Sequence, residues 1–399
     1  MPTIVLLVPS STYRAADFVA AARAIGVRLI VASDEASPIA DPTSTRALTI
    51  PISDPDAAAA ALVALDDRHG VDAVVALDDQ GIVAAARAAE QLGLSHSSPD
   101  AVARTRDKAA LRAALLSGEV PQPRFESVAD PEDAGAAAAR IGFPVVVKPV
   151  GLSGSQGVIR ADDEPAALAA ARRASAIAGG GPLLVEEFVA GAEVAVEGLL
   201  RNGTLEILAV FDKPDPLVGP YFEETIYVTP SRLPASSLAE ITRITHDACI
   251  AIGLAEGPVH AELRVDGDRI RVIEVAARSI GGLCGRALRF GAGISLEEVI
   301  LRHALGMPLD GLAREAAASG VMMIPIEREG TLVEVVGRDA AMSVEAIVGL
   351  EVTIPPGRMI RPLPEGDRYL GFLFARASTP AAVEHALRTA HAKLTVVVS

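Results

Sequence analysis

Tryptophan is absent from the 399-residue chain, aromatic residues make up only 3% of it, and cysteine occurs twice. So few aromatic faces leave little material for the base-stacking platforms of single-strand nucleic-acid binders. Cys249 and Cys284 have no metal-ligand spacing, and a large intracellular chain has little need of a disulfide, so both are expected to be reduced. Basic residues are in deficit: 36 Lys and Arg against 51 Asp and Glu give a net charge of −15, which repels a phosphate backbone unless the basic groups gather locally. No apolar run approaches the ~20 residues of a membrane span. The first β-rich run, Thr3 to Val8, lacks the basic flank and the length of a signal peptide. The chain is therefore expected to be cytoplasmic, with no nucleic-acid or membrane partner.

What is present is a globular composition, with 50% hydrophobic and 22% charged residues. The length predicts two to four domains at roughly 100 to 200 residues each. Residues 1–97 alternate short apolar β-runs with helical spacing: Thr3 to Val8, a helix Ala15 to Ile25, Val27 to Val31, helix Asp56 to Asp67, Val71 to Leu77 and helix Gly81 to Leu92. That order predicts a small doubly wound parallel sheet. Its first strand-to-helix turn, Pro9-Ser10-Ser11-Thr12, lacks the glycines that let a backbone approach a pyrophosphate, so a dinucleotide site is not expected there. A second domain is expected over 98–310. It begins with a polar helix Arg104 to Leu116 and a Pro-rich link at 120–123, and continues as a small lobe at about 124–189 and a strand-rich large lobe at about 190–310. A third unit of mixed α+β structure is expected over 311–399, ending in a helix Thr379 to Leu394.

Three features carry chemistry. Val145-Val146-Val147-Lys148-Pro149 is a strand ending in a lysine, followed at once by Gly151-Leu152-Ser153-Gly154-Ser155-Gln156-Gly157. Backbone N–H groups and hydroxyls on such a loop, with an ammonium at its root, suit a phosphate. The second is an apolar strand, Leu183 to Glu187, that stops at Glu186 and Glu187 and runs on through Phe188 and Val189 to Glu193. A strand edge of this kind can present backbone groups to a purine and carboxylates to its amine or to ribose hydroxyls. The third is the hairpin from His260 to Val275 around Asp266-Gly267-Asp268. A three-residue turn would put Glu262 and Glu274 on one face as diagonal neighbours about 7 to 8 Å apart, within reach of shared Mg2+ ions. A two-residue turn would put them on opposite faces. His260 shares the parity of Glu262 and is read either as facing the site or as a hydrogen-bonded core histidine. Arg278 and Gly281-Gly282 follow, an arginine fork suited to phosphate or carboxylate beside a stretch without side-chain bulk.

In this order the features resemble the ATP-grasp superfamily of carboxylate-amine ligases. Together with Gly219-Pro220-Tyr221-Phe222-Glu223-Glu224 and Tyr369-Leu370-Gly371-Phe372-Leu373-Phe374-Ala375-Arg376-Ala377, they look most like L-amino-acid ligases. The resemblance implies ATP and Mg2+ as cofactors, with Mn2+ as a substitute. It implies small-molecule carboxylate and amine substrates, and it leaves a homodimer open. It makes Lys108 and Lys148 the lysines on the α- and β-phosphates, with Ser153, Gly154, Ser155 and Gly157 closing over the γ-phosphate. Glu186 and the backbone of Glu187, Phe188 and Val189 would face adenine, and Glu193 the ribose. Glu262 and Glu274 would hold metal, and Arg278 would meet the acyl phosphate or the second substrate's carboxylate. Arg278, Lys148, Gly154 and Ser155 are the expected catalytic groups; Glu223, His260, Arg278, Gly281 and Gly282 are expected to line the substrate pocket, and Glu224 joins Glu223 as a candidate for the first substrate's ammonium. Many members have Glu-x-Asn-x-Arg where this chain has Glu274-Val275-Ala276-Ala277-Arg278. Ala276 cannot bind metal. A ligase or carboxylase of nucleotide or bicarbonate metabolism, or a non-catalytic ATP-binding protein, stands as the alternative.

Overall fold

The computed structural model describes residues 1–10, 12–35, 45–309, 311 and 313–399. Ser11, in the glycine-free first turn, lies outside them. The N-terminal strands form a four-stranded parallel sheet in the order Thr45–Thr49, Arg28–Ser33, Thr3–Leu7, Ala73–Ala76. Its helices are Ala15–Ile25, Pro55–His69 and Ile82–Leu92. The strand Thr45–Thr49 was not anticipated, because Thr45-Arg46-Ala47-Leu48-Thr49 is too polar to stand out as a β-run. Thr3–Leu7 is buried along its whole length, as a strand covered on both faces must be.

The expected single helix Arg104 to Leu116 is two helices, Pro99–Arg106 and Lys108–Ser117. Asp107 breaks the run: it adopts an extended backbone and its carboxylate accepts from the N–H groups of Ala109 and Ala110, both at 2.9 Å. Capping the second helix in this way places Lys108 at its first turn.

The small lobe is an antiparallel sheet in the order Phe125–Val128, Leu183–Glu187, Val145–Pro149, Ile159–Ala161, backed by helices Ala134–Ile141 and Glu164–Ala178. Because Val145–Pro149 lies beside Leu183–Glu187, with Val146 opposite Glu186, the lysine strand and the glutamate strand are neighbours. The large lobe is built on an eight-stranded antiparallel sheet ordered Arg269–Ala276, Gly257–Asp266, Ala192–Arg201, Thr204–Lys213, Ile226–Thr229, Ala318–Ile324, Gly371–Ala377, Ile347–Val352. The sheet runs past residue 310, so the last unit shares a sheet with the lobe before it. That unit also has a three-stranded sheet with Gly330–Val336 at its centre, and the chain ends in the strand Thr395–Val398 after the helix Pro380–His391.

One buried cluster joins Phe18 of the first helix to Phe211, Phe290 and Phe372. Buried Arg14 reinforces that contact, donating to the Leu77 carbonyl at 2.6 Å and to Ser279 Oγ at 2.7 Å. The N-terminal sheet is thereby fixed against the segment that carries Arg278.

Candidate active site

The hairpin has a two-residue turn, with Asp266 opposite Arg269, yet Glu262 lies directly opposite Glu274. The register shifts between Glu262 and Leu263, where Leu263 pairs with Val272 and Ile273 is left over as a bulge. An extra residue on one strand reverses side-chain parity beyond it, so both carboxylates face the same side despite the short turn.

Two adjoining cavities meet at this pair. The first is bordered by Lys108, Lys148, Ser153, Gly154, Ser155, Glu186, Glu187, Phe188, Val189, Glu193, Glu262 and Glu274. The second is bordered by Glu223, His260, Arg278, Gly281 and Gly282, with Tyr13, Asp78, Asp79, Gln80 and Tyr369 supplied by the N-terminal and C-terminal units. Ser153, Gly154, Ser155, Glu224, Glu262 and Glu274 belong to both walls. Gly157 borders neither cavity, unlike the rest of the expected set. Its N–H donates to the Pro364 carbonyl at 3.0 Å, and with φ +66° it packs where a Cβ would come within 2.9 Å of Pro149. It anchors the loop instead of presenting an amide to the cavity.

Several carboxylates expected to meet a ligand are already held by cations. Glu186 is buried and takes Arg112 Nε at 2.6 Å, Arg112 Nη2 at 3.3 Å and Lys148 Nζ at 2.6 Å. Burial alone would raise its pKa, but the guanidinium and the ammonium hold it down at about 2. Burial in turn lowers that of Lys148, against the pull of Glu186. The Glu186 side chain thus borders the cavity with both oxygens bonded to cations, and it orients Lys148. The Glu187 and Phe188 N–H groups are bonded to the carbonyls of Arg124 and Pro144, at 2.9 and 3.0 Å, whereas the Val189 N–H has no protein partner among the described residues. Glu193, expected at the ribose, is likewise occupied, by Lys213 at 2.7 Å and Arg264 at 2.6 Å.

Lys213 is the residue that sequence reasoning missed. It ends the strand Thr204–Lys213 much as Lys148 ends its own, and that shared signal could have found it. Its buried ammonium bonds Glu193 at 2.7 Å and Glu262 at 2.9 Å, and also bonds Glu224, whose other oxygen accepts from Tyr227 OH at 2.6 Å. Burial and the neighbouring Glu262 charge raise Glu224 to about 7 despite Lys213, while Lys213 and His260 hold Glu262 well below the usual carboxylate range against its burial. His260 Nδ1 meets Glu197 at 2.5 Å and Nε2 meets Glu262 at 3.4 Å. Burial opposes its charge, but the two carboxylates lift its pKa to about 9.

Carboxylate oxygens of Glu193, Glu224 and Glu262 lie within 4.8 Å of one another, the one such group among the described residues. Lys213 already fills that cluster, so it does not fit a divalent ion. Glu262 and Glu274 fit better. They are opposite one another and border both cavities, and among the described residues Glu274 has a single ion pair, with Lys108 at 3.5 Å. Two hard oxygen donors beside a phosphate cavity suit Mg2+, which keeps water and phosphate as its other ligands. Ala276 puts a methyl group where the second cavity begins.

Arg278 is held by Asp79 through two bonds, Nε at 2.8 Å and Nη2 at 3.1 Å, across 199 residues of chain. Asp79 and Gln80 follow the strand Ala73–Ala76, a stretch that carried no motif in the sequence.

Family models match three successive stretches: an ATP-grasp N-terminal domain over 19–96, an ATP-grasp domain over 141–287 and the L-amino acid ligase C-terminal domain 2 over 322–399. The alanine–anticapsin ligase of Bacillus subtilis is 27% identical over 263 residues, 60% of this chain and 55% of that protein. The corresponding protein of Bacillus amyloliquefaciens matches to the same extent. The chain spans about half the length of the curated relatives it matches. Among solved structures, the L-amino acid ligase from Bacillus licheniformis superposes with a TM-score of 0.85 at 24% identity, covering 100% of this chain and 99% of that one. N5-carboxyaminoimidazole ribonucleotide synthetase from Thermotoga maritima does so with a TM-score of 0.75 at 18% identity, covering both chains fully. With its three matched domains in that order and this fold, the chain belongs to the ATP-grasp superfamily and is most like the L-amino acid ligases.

Proposed function

We propose that the protein is an ATP-dependent ligase that activates an amino-acid carboxylate and joins it to the amine of a second amino acid, releasing ADP and phosphate. The observation that carries this reading is the shared wall. A cavity rooted in two lysines and a glycine-serine loop opens through Ser153–Ser155, Glu224, Glu262 and Glu274 into one that holds both acidic groups and an arginine fork. A phosphoryl donor on one side and an amino acid on the other would meet at that wall.

The adenine edge would be met by the backbone at Val189, whose N–H is unclaimed, and the phosphates by Lys108, Lys148 and the 151–157 loop. Mg2+ held by Glu262 and Glu274 would neutralise phosphate charge. A substrate carboxylate oxygen attacks the γ-phosphorus and ADP departs, leaving an acyl phosphate. The neutral amine then attacks the acyl carbon and phosphate leaves. Glu223 faces the second cavity as a receptor for an ammonium. Glu224, with a pKa near the working pH, is suited to take the proton that the attacking amine gives up. The loop has a stated purpose here, since an acyl phosphate exposed to water hydrolyses.

The test is phosphate release from ATP and Mg2+ across a panel of paired amino acids, with mass detection of products and Glu274→Ala as control. A dipeptide mass formed only with Glu274 intact supports the reading. Phosphate release that depends on bicarbonate or a ribonucleotide, and not on amino acids, would replace it with the carboxylase alternative. ATP binding with no turnover on any member would favour the non-catalytic one.

A further inference from the structure

Arg278 has five N–H donors, and the structure accounts for three of them. Nε and one Nη2 hydrogen go to Asp79, and one Nη1 hydrogen goes to the Ser279 carbonyl at 3.0 Å. One N–H on each terminal nitrogen is left without a protein partner among the described residues. The head group borders the second cavity and its side chain is 15% exposed. Two donors on adjacent terminal nitrogens are the fork that takes a carboxylate in two bonds.

Asp79 does not quench this receptor. Arg106 Nη1 also lies 3.2 Å from its carboxylate, so two guanidinium groups share that one carboxylate. Asp79 is itself mostly buried, in the turn after the parallel strand Ala73–Ala76, whose sheet is fixed to the large lobe through Arg14. A guanidinium gripped from one side by a fixed carboxylate cannot swing, which removes the rotamer entropy that a free arginine would lose on binding.

Resting on the ligase reading above, we propose that Asp79 is a positioning residue for the acceptor. It holds Arg278 from the side so that the two unclaimed N–H groups receive the acceptor's α-carboxylate, which restricts acceptors to amines that carry one. The N-terminal domain thus completes the acceptor site without touching the reacting atoms.

The test compares wild type with Asp79→Asn, using an amino acid and the corresponding α-carboxamide as acceptors. The asparagine variant is expected to raise the KM for the amino acid about tenfold or more, the scale of one charge-assisted bond. The KM values for ATP and the donor should stay unchanged, and the carboxamide should show no penalty. Asp79→Glu, which keeps the charge and the inter-domain contact but displaces the fork, should give a smaller rise of the same selectivity, and it serves if the asparagine variant does not fold. An unchanged acceptor KM, or an equal penalty for acid and amide, overturns the proposal. Wild-type turnover that accepts the carboxamide as readily as the acid also overturns it and leaves the ligase reading standing. If wild type joins no amine at all, the ligase reading fails first.

Discussion

Replacing Lys213 by methionine removes the one cation that touches Glu193, Glu224 and Glu262 together while keeping the bulk of the side chain. In wild type its ammonium sits 2.7 Å from Glu193 and 2.9 Å from Glu262, and 5.0 Å from the centre of the Tyr227 ring. Deleting one partner of a buried ion pair costs about 3–5 kcal/mol, because the remaining charge is neither solvated nor compensated. Arg264 still covers Glu193, and Glu224, with its pKa already up at about 7, can take a proton once the ammonium is gone, so the lower end, about 3 kcal/mol, is expected. A second consequence distinguishes this account from general damage. Without Lys213 the three carboxylates, whose oxygens lie within 4.8 Å of one another, become a cage for a divalent ion. Mn2+ at one hundred times its Kd would restore about 2.7 kcal/mol. Urea unfolding at pH 7.5, in EDTA and in Mn2+, measures both effects. Lys213→Met should unfold at lower urea than wild type in EDTA and gain more from Mn2+ than wild type does. A variant as stable as wild type in EDTA, or an equal Mn2+ response in both proteins, would refute the reasoning.

Arg112→Met should cost about 3–5 kcal/mol at neutral pH, since it strips Glu186 of a buried partner. The Glu186 contribution, present above its unfolded pKa and lost in wild type as pH falls through about 2, should then be lost at higher pH, which acid titration by circular dichroism would reveal. His260 has its folded pKa raised to about 9, so its stabilisation is complete below about 6.5 and disappears as pH rises through about 9. That window is worth about 3 kcal/mol at most in metal-free buffer, and His260→Asn should flatten the slope of urea midpoint against pH across it. Gly282→Ala should cost about 2–4 kcal/mol by urea midpoint, because φ is +61° and a Cβ would come within 2.8 Å of the Phe372 ring. Gly281→Ala, with nothing within 4 Å, should stay within about 0.5 kcal/mol.

By itself the sequence determined the order of elements and the chemical inventory. Strands that end abruptly in Lys148 or in Glu186-Glu187, and a glycine-serine loop between them, are local signals, and local signals survive without a structure. The helices Ala15–Ile25 and Ile82–Leu92 were legible for the same reason, since apolar spacing over three turns is a property of the chain alone. What the tertiary structure decided is which charges meet. Counting residues around the Asp-Gly-Asp turn could not place Glu262 and Glu274 on one face, because the bulge at Ile273 arises in the pairing of two strands and not in the turn. Nor could spacing show that Glu186 and Glu193 are already held by Arg112, Lys148, Arg264 and Lys213, or that Asp79 grips Arg278. Those pairs join residues 20 to 199 positions apart only because the sheets and lobes fold them together. Burial then decides which carboxylates remain free for a ligand, by making an unpaired charge in the interior too costly to keep.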